Sequence, residues 1–239
     1  MKAYFLRRLG QPLILSDLPS LDLGQGEEAE LDLYASAPLC DTDRRFVSLF
    51  LRSEAAAVVR LWIQDKRYFP RLIASAIVFL LAYILASFLI RDPLPMIDEL
   101  VIGLFAAAGA WALIARQDAK TSVAREKQRK LETRINTAEV LTDPSLKDLE
   151  ELYEGLYSYD ITALAEKLVN GELPPIEASE DIKKAALCYL RAHDKEMLKD
   201  VEGLKAGKRK EKTEADLIHL ASTASLDLYA TAFFYLLLS

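Results

Sequence analysis

The stretch LIASAIVFLLAYILASFLI, residues 72–90, and the stretch IDELVIGLFAAAGAWALIA, residues 97–115, decide the architecture of this chain. Each is 19 residues long; the first has no charged residue, and the second has only Asp98 and Glu99 near its start. At about 1.5 Å per residue, each stretch can form a helix about 28 Å long, which matches the hydrocarbon core of a bilayer. The sequence therefore predicts two membrane-spanning helices joined by a short turn.

The charges around these stretches predict how they cross the membrane. Residues 51–71 carry five basic and two acidic side chains, and residues 116–142 carry seven and four. The segment 91–99 has a single basic residue, Arg91, and three carboxylates. Because Lys and Arg in short flanking segments stay in the cytoplasm, we expect a protein of the cytoplasmic (inner) membrane with both termini in the cytoplasm.

The overall composition excludes some classes of protein. The chain has 239 residues and a formal net charge of −6, which argues against a general nucleic-acid binder, since such proteins need a basic face. Its two cysteines, Cys40 and Cys188, both fall in predicted cytoplasmic segments, where a structural disulfide is not expected. The apolar run at the start ends at Arg7 and Arg8, so we expect no signal peptide and interpret the first span as an uncleaved anchor.

The predicted fold class is an all-α integral membrane protein with a two-helix transmembrane hairpin, a cytoplasmic helical domain and an irregular, partly β N-terminal arm. Five segments follow from hydropathy, charge and turn residues. They are an extended or short-stranded arm (1–40), an amphipathic juxtamembrane helix (41–70), the hairpin (71–115), a basic cytoplasmic stalk helix (116–142) and an acidic cytoplasmic helical domain (143–239).

Small residues recur on both predicted spans at helical spacing. They are Ala82 and Ala86 on the first, and Gly103, Ala107 and Ala110 on the second. Small residues let helix backbones approach closely inside a membrane. This face either joins the two spans of one chain or also packs against a second copy in a homo-oligomer.

Basic residues next to the spans are candidate contacts for the anionic headgroups of membrane lipids, and each such charge contributes about 1 kcal/mol near the surface. The candidates are Arg67, Arg71, Arg125, Lys127, Arg129 and Lys130. The alternative is that these charges only set the topology, on a solvated helix.

The last predicted helix, residues 213–238, allows two interpretations. Its segment 217–238 is long and apolar enough to be a third span, and His219, Thr223, Asp227 and Thr231 recur every four residues as one polar stripe. An aspartate at the bilayer centre costs about 2.5–3.5 kcal/mol. We therefore favour an amphipathic core helix of the cytoplasmic domain, in which the stripe is structural. If this helix is a third span, the stripe is instead a candidate ion or proton relay.

Catalytic, cofactor-binding and metal-binding motifs are not recognisable in the sequence. It contains no phosphate-binding glycine loop, no nucleophile elbow and no histidine pair with metal-ligand spacing. We expect a non-enzymatic membrane-anchored scaffold or adaptor, without cofactor, whose cytoplasmic helices bind a protein partner. The alternatives are an oligomeric channel or transport subunit, with the last helix as a possible third span, and a membrane-bound enzyme whose site the sequence does not reveal.

Overall fold

The computed structural model describes residues 1–8, 11–21, 23, 30–89, 97–118, 121–173, 176–205 and 214–239. The chain is mostly helical and forms two compact units. The first comprises Met1–Leu21, Glu27–Glu54 and Thr133–Ser239, and the second comprises Asp22–Gly26 and Ala55–Glu132.

Four strands and ten α-helices follow one another along the described residues. The strands are β1 (Lys2–Arg8), β2 (Gln11–Ser16), β3 (Asp32–Ala35) and β4 (Val140–Thr142). The helices are α1 (Asp41–Lys66), α2 (Tyr68–Leu89), α3 (Ile97–Asp118), α4 (Ser122–Thr137), α5 (Ser145–Leu156), α6 (Ile161–Asn170), α7 (Glu180–His193), α8 (Lys195–Lys205), α9 (Glu214–Ser222) and α10 (Leu228–Leu238). Helices α1 and α4 each contribute residues to both units.

The first unit contains a mixed sheet with the strand order β2-β1-β3-β4. Strand β1 pairs antiparallel with β2 and parallel with β3, and β3 pairs parallel with β4. The chain is therefore mostly helical with a small mixed sheet, which agrees with the predicted partly β N-terminal arm but not with an otherwise all-α fold. The predicted stalk helix over 116–142 is also too long, because α4 ends at Thr137 and residues 140–142 form the edge strand. Local sequence cannot reveal this pairing, since β3 and β4 are more than 100 residues apart.

The core of the first unit lies between this sheet and the helices of the C-terminal half. Strand residues Tyr4, Leu6 and Leu15 are buried together with apolar side chains of α5, α6, α7 and α10. Helices α5 and α7 pack directly on β1, and α7 also packs on β2. The amphipathic spacing of these helices explains their packing, because one apolar face per helix is buried against the sheet or a neighbouring helix.

Side-chain and backbone signals set several helix ends of the first unit. Asp160 accepts a hydrogen bond from the Thr162 backbone N–H at the start of α6, and Gly171 ends that helix at φ 66°. The left-handed region suits glycine, which has no Cβ. Ser179 caps α7 through the Ile182 backbone N–H. Each of these signals acts within one helical turn of the helix end that it sets.

Aspartates interrupt two stretches of helix, one of which is the predicted helix 213–238. The segment 179–204 divides into α7 and α8 at Asp194, whose carboxylate accepts from the Met197 backbone N–H at 2.9 Å. The segment 213–238 divides into α9 and α10, and the Asp227 carboxylate accepts from the Ala230 backbone N–H at 3.0 Å. An aspartate side chain competes in this way for backbone donors, which favours a new helix start over continuation.

The second unit contains the two helices that are long and apolar enough to cross a membrane, α2 and α3. They pack against each other and cover the predicted spans to within a few residues at the described ends. Large apolar side chains of these helices point outward. Phe88, for example, exposes 80% of its surface. Residue 90 and the predicted turn at 91–96 lie outside the described residues.

Candidate functional site

A cleft of about 860 Å³ lies in the first unit. The amino-terminal half of α1, the end of α4 and the strands β3 and β4 form its walls. Its lining residues are Leu33, Asp41, Arg44, Arg45, Val47, Ser48, Leu51, Ile135, Asn136, Ala138, Glu139 and Val140.

The floor of the cleft is apolar and its rim is charged. Leu33, Val47, Leu51 and Ile135 are buried. The rim carries two exposed arginines, Arg44 and Arg45, and two exposed carboxylates, Asp41 and Glu139. A mixed rim of this kind around an apolar floor is typical of surfaces that bind another molecule, since apolar contact supplies affinity and charged groups supply orientation.

Strand β4, which forms one wall of the cleft, is one of the two edge strands of the sheet. The Leu33 backbone N–H donates to the Glu139 carbonyl at 3.3 Å, and the Asp143 N–H donates to the Ala35 carbonyl at 2.9 Å. Backbone groups alternate in direction along a strand, so those of Val140 and Thr142 point away from β3. Backbone N–H and C=O groups that point outward from an edge strand can form hydrogen bonds with an extended peptide.

The start of α1, which carries the rim residues Asp41, Arg44 and Arg45, is fixed to β1. The Arg7 guanidinium donates to the Asp43 carboxylate at 2.9 Å, and the Asp43 backbone N–H donates to the Cys40 sulfur at 3.5 Å. The Cys40 side chain and then the Arg7 guanidinium hold the pKa of the Asp43 carboxyl below its usual value, because both interactions favour the charged form. These contacts position the arginines of the cleft rim.

Helix α5 holds the neighbouring backbone through the carboxylate of Glu150. Glu150 accepts from the Arg7 backbone N–H and from the Ser36 hydroxyl, both at 2.7 Å. It is half-buried and bridges β1 and the segment after β3. The charge run of α5 gives no signal for this contact, because the partners lie more than 100 residues away in sequence.

The described lining of the cleft has few nucleophilic or metal-ligating side chains. Its described lining contains one hydroxyl, Ser48, and neither histidine nor cysteine. Among the residues that the structure describes, His, Cys, Asp and Glu form no group of three or more that could hold a metal ion.

The predicted headgroup residues fall into different environments in the second unit. Arg71 is buried, with 4% of its surface exposed, and its Nε lies 2.7 Å from Asp118 Oδ2. The sequence predicts a lipid-headgroup contact for Arg71, but its guanidinium instead binds the buried carboxylate of Asp118. Arg67 is half-exposed, and its Nη1 lies 3.9 Å from Asp118 Oδ1.

Four further headgroup candidates lie on α4. Arg125, Arg129 and Lys130 are exposed, and Lys130 forms an ion pair with Glu126 at 3.1 Å. Lys127 differs from them because it is half-buried and its Nζ lies 4.8 Å from the centre of the Trp62 ring.

The predicted small-residue face has one tight contact. A Cβ on Gly103 would lie 2.9 Å from Phe79 Cε2, so α2 and α3 approach closely at that position. Ala86 is buried, whereas Ala82, Ala107 and Ala110 are half-buried. A Cβ on Gly109 would meet nothing within 4 Å. The face therefore joins the two helices of one chain at Gly103, and packing against a second copy stays a prediction.

The predicted polar stripe does not form on one helix. His219 is on α9, Thr223 follows its end, and Asp227 precedes α10. The Thr231 side chain is buried in α10 and its hydroxyl donates to the Asp227 carbonyl at 2.9 Å. Because α10 has 11 residues, it is about 16 Å long and too short to cross the hydrocarbon core.

His193 has a partner that its charged sequence context does not indicate. Its Nε2 lies 2.8 Å from Oε1 of Glu54 on α1, and the Glu54 side chain is 8% exposed. The imidazole ring also packs against Phe50 and Tyr189, at centroid distances of 5.6 and 4.9 Å. This contact joins α1 to α7 within the first unit.

Comparisons with protein-family models, with curated proteins and with solved structures gave no match to this chain.

Proposed function

We propose that this protein is a non-catalytic scaffold anchored in the cytoplasmic membrane, with both termini in the cytoplasm. The α2–α3 hairpin is the anchor, and the first unit is the part that binds a protein partner. The apolar outer surface of the hairpin supports the anchor, since soluble proteins rarely expose large contiguous apolar patches.

The cleft beside β4 is the single observation that carries the binding role. It combines a buried apolar floor with exposed arginines and carboxylates, and one of its walls is an edge strand. An extended segment of a partner could pair with the outward backbone groups of Val140 and Thr142 while Arg44 and Arg45 contact its acidic side chains. A second copy of this chain is included among the candidate partners.

Site-specific photocrosslinking tests the binding role in native membranes. A photoreactive amino acid replaces Ser48 in the cleft, and a control chain carries it at the exposed Ala192 of α7. We expect a discrete crosslinked protein from position 48 that is not obtained from position 192. Mass spectrometry of the crosslinked band then distinguishes a different protein from a second copy.

Charge reversal makes the test specific for the rim. The Arg44→Glu/Arg45→Glu chain should lose the crosslink, whereas the Lys184→Glu/Arg191→Glu chain, which reverses two exposed charges on α7, should keep it. A crosslink that survives the rim change would argue against recognition by Arg44 and Arg45. Ion conductance by the purified protein in planar bilayers would argue against the scaffold and favour the channel alternative.

The native cysteines provide a separate test of the topology. Cys40 is exposed and Cys188 is buried, so a Cys188→Ala chain presents a single accessible thiol in the first unit. A membrane-impermeant maleimide should label Cys40 in inverted vesicles and leave it unlabelled in intact cells. Labelling from outside the cell would contradict a cytoplasmic first unit.

A further inference from the structure

A small cavity in the second unit lies where α1 ends and close to where α4 begins. Its volume is about 80 Å³, and its lining residues are Trp62, Ile63, Lys66, Arg67, Thr121 and Val123. Helix α2 begins at Tyr68, one residue after Arg67, so the cavity lies beside the first turn of a helix that is long enough to cross a membrane.

Two ammonium groups flank the indole ring of this cavity. Lys66 Nζ lies 4.9 Å and Lys127 Nζ lies 4.8 Å from the centre of the Trp62 ring. A cation over an indole face is attracted by the electron density of the ring, which holds both ammonium groups near the cavity. Lys127 also donates to the Leu23 carbonyl, and because an ammonium has three N–H donors, two are left for other acceptors.

The guanidinium of Arg67 is the third cation of the cavity. Asp118 is the nearby buried carboxylate, but Arg71 binds it at 2.7 Å, whereas the Arg67 Nη1 distance of 3.9 Å is too long for a hydrogen bond. The Thr121 hydroxyl, also in the lining, donates to the Asp118 carbonyl. The carboxylate therefore neutralises Arg71 first, and the exposed part of Arg67 can bind an anion from outside.

We propose that Lys66, Arg67 and Lys127 form a site for the phosphate group of an anionic membrane lipid, with Trp62 as its aromatic wall. Arginine can bind phosphate oxygens in pairs and lysine binds phosphate as a point charge. Tryptophan favours the headgroup zone, which is the depth at which a lipid phosphate lies. The inference rests on the proposed membrane anchor, and it replaces a diffuse basic surface by one defined site.

Native mass spectrometry of the full chain in mild detergent tests the site with phosphatidylglycerol and phosphatidylcholine as probes. We expect the native chain to retain phosphatidylglycerol in preference to phosphatidylcholine. The Lys66→Gln/Lys127→Gln chain should bind phosphatidylglycerol about thirtyfold more weakly, the change expected for two lost cation contacts. Circular dichroism of both chains checks that the variant is folded.

The matched control removes the same number of charges from an exposed part of α4. Arg129→Gln/Lys130→Gln should leave the affinity for phosphatidylglycerol within about threefold of the native value, because the ammonium groups over the Trp62 ring are those of Lys66 and Lys127. Equal losses in the two double variants would show diffuse attraction to a basic surface and would overturn the site.

A fluorescence titration separates lipid from free phosphate. The chain has two tryptophans, so Trp111→Phe leaves Trp62 as the single reporter. We expect its emission to change with phosphatidylglycerol in nanodiscs and to remain constant with inorganic phosphate at millimolar concentration. A full change with inorganic phosphate alone would overturn the assignment to lipid. Failure of the native chain to enter nanodiscs would contradict the membrane anchor, whereas insertion without lipid preference would contradict only this site.

Discussion

Arg71 and Asp118 form a buried ion pair that closes one end of the α2–α3 hairpin. Arg71 Nε lies 2.7 Å from Asp118 Oδ2, and both residues expose less than a tenth of their surface. Arg71 lies in the first turn of α2, and Asp118 is the last residue of α3. The pair therefore fixes the register of two antiparallel helices. Among the apolar residues that follow, packing at small side chains such as Gly103 adds to this register, since the hydrophobic effect does not drive helices together where lipid tails are equally apolar.

Breaking this pair should destabilise the hairpin strongly. Asp118→Asn leaves the Arg71 guanidinium buried without its carboxylate, which costs about 3–5 kcal/mol in comparable buried pairs. The measurement is unfolding of the purified protein in mixed micelles, followed by circular dichroism. Glu126→Gln, which removes the exposed pair with Lys130, should change the free energy of unfolding by less than about 0.5 kcal/mol. Similar losses in both variants would contradict a structural role for the buried pair.

The close approach of the two helices at Gly103 predicts a position-specific effect of larger side chains. Gly103→Leu forces the Phe79 ring or the α2 backbone to move, at a cost of about 1–3 kcal/mol. Gly109→Leu, on the same helix and with open space around it, should be tolerated. The same unfolding assay compares the two chains. A greater loss at position 109 than at position 103 would show that the packing face differs from the one described.

The break between α9 and α10 depends on Asp227. Asp227→Ala removes the acceptor for the Ala230 backbone N–H and should lower the free energy of unfolding by about 1 kcal/mol, whereas Asp227→Asn should retain most of the cap. Thermal unfolding of the three chains measures the difference. An alanine chain as stable as the native one would indicate that the break is set by packing rather than by the cap.

Burial of Tyr4 predicts a loss of stability at alkaline pH. Burial raises the pKa of its phenol above the usual 10, since the charged form is disfavoured in the core. The folded state then holds this proton more tightly than the unfolded state, so this contribution is complete below pH 10 and falls as pH rises above it. In the Tyr4→Phe chain, the free energy of unfolding should fall less steeply above pH 10. Between pH 7 and 9, it should differ from the native value by a constant amount. Parallel curves above pH 10 would contradict the assignment.

Local pattern accounts for much of the helical part of the fold. The two long apolar stretches correspond to α2 and α3, and α1 begins at Asp41, the first residue of the predicted juxtamembrane helix. The Asp160 and Ser179 caps and the Gly171 stop are local features of the same kind. These features depend on residues a few positions apart. Hydrophobic length, capping oxygens and the left-handed glycine each act within one or two helical turns.

The sheet and the candidate sites could not be predicted in the same way. Strand β4 has three residues and is a strand only because β3 lies beside it, and the cleft joins walls from α1, α4 and both strands. The cavity around Trp62 similarly joins Lys66 on α1 with Lys127 on α4. Hydrogen-bond pairing and charge contacts between distant segments leave no periodic signal in the sequence.

The sequence by itself determined the apolar hairpin, its basic flanks and the amphipathic helices after residue 143, because hydrophobic length, charge and 3.6-residue periodicity are properties of short segments. The tertiary structure decided which charges are buried and which can bind. Arg67 and Arg71 are four residues apart with the same chemistry, yet Asp118 engages the buried Arg71 at 2.7 Å and leaves Arg67 half-exposed. That difference arises from the packing of α3 against α2, which brings one carboxylate within reach of one guanidinium.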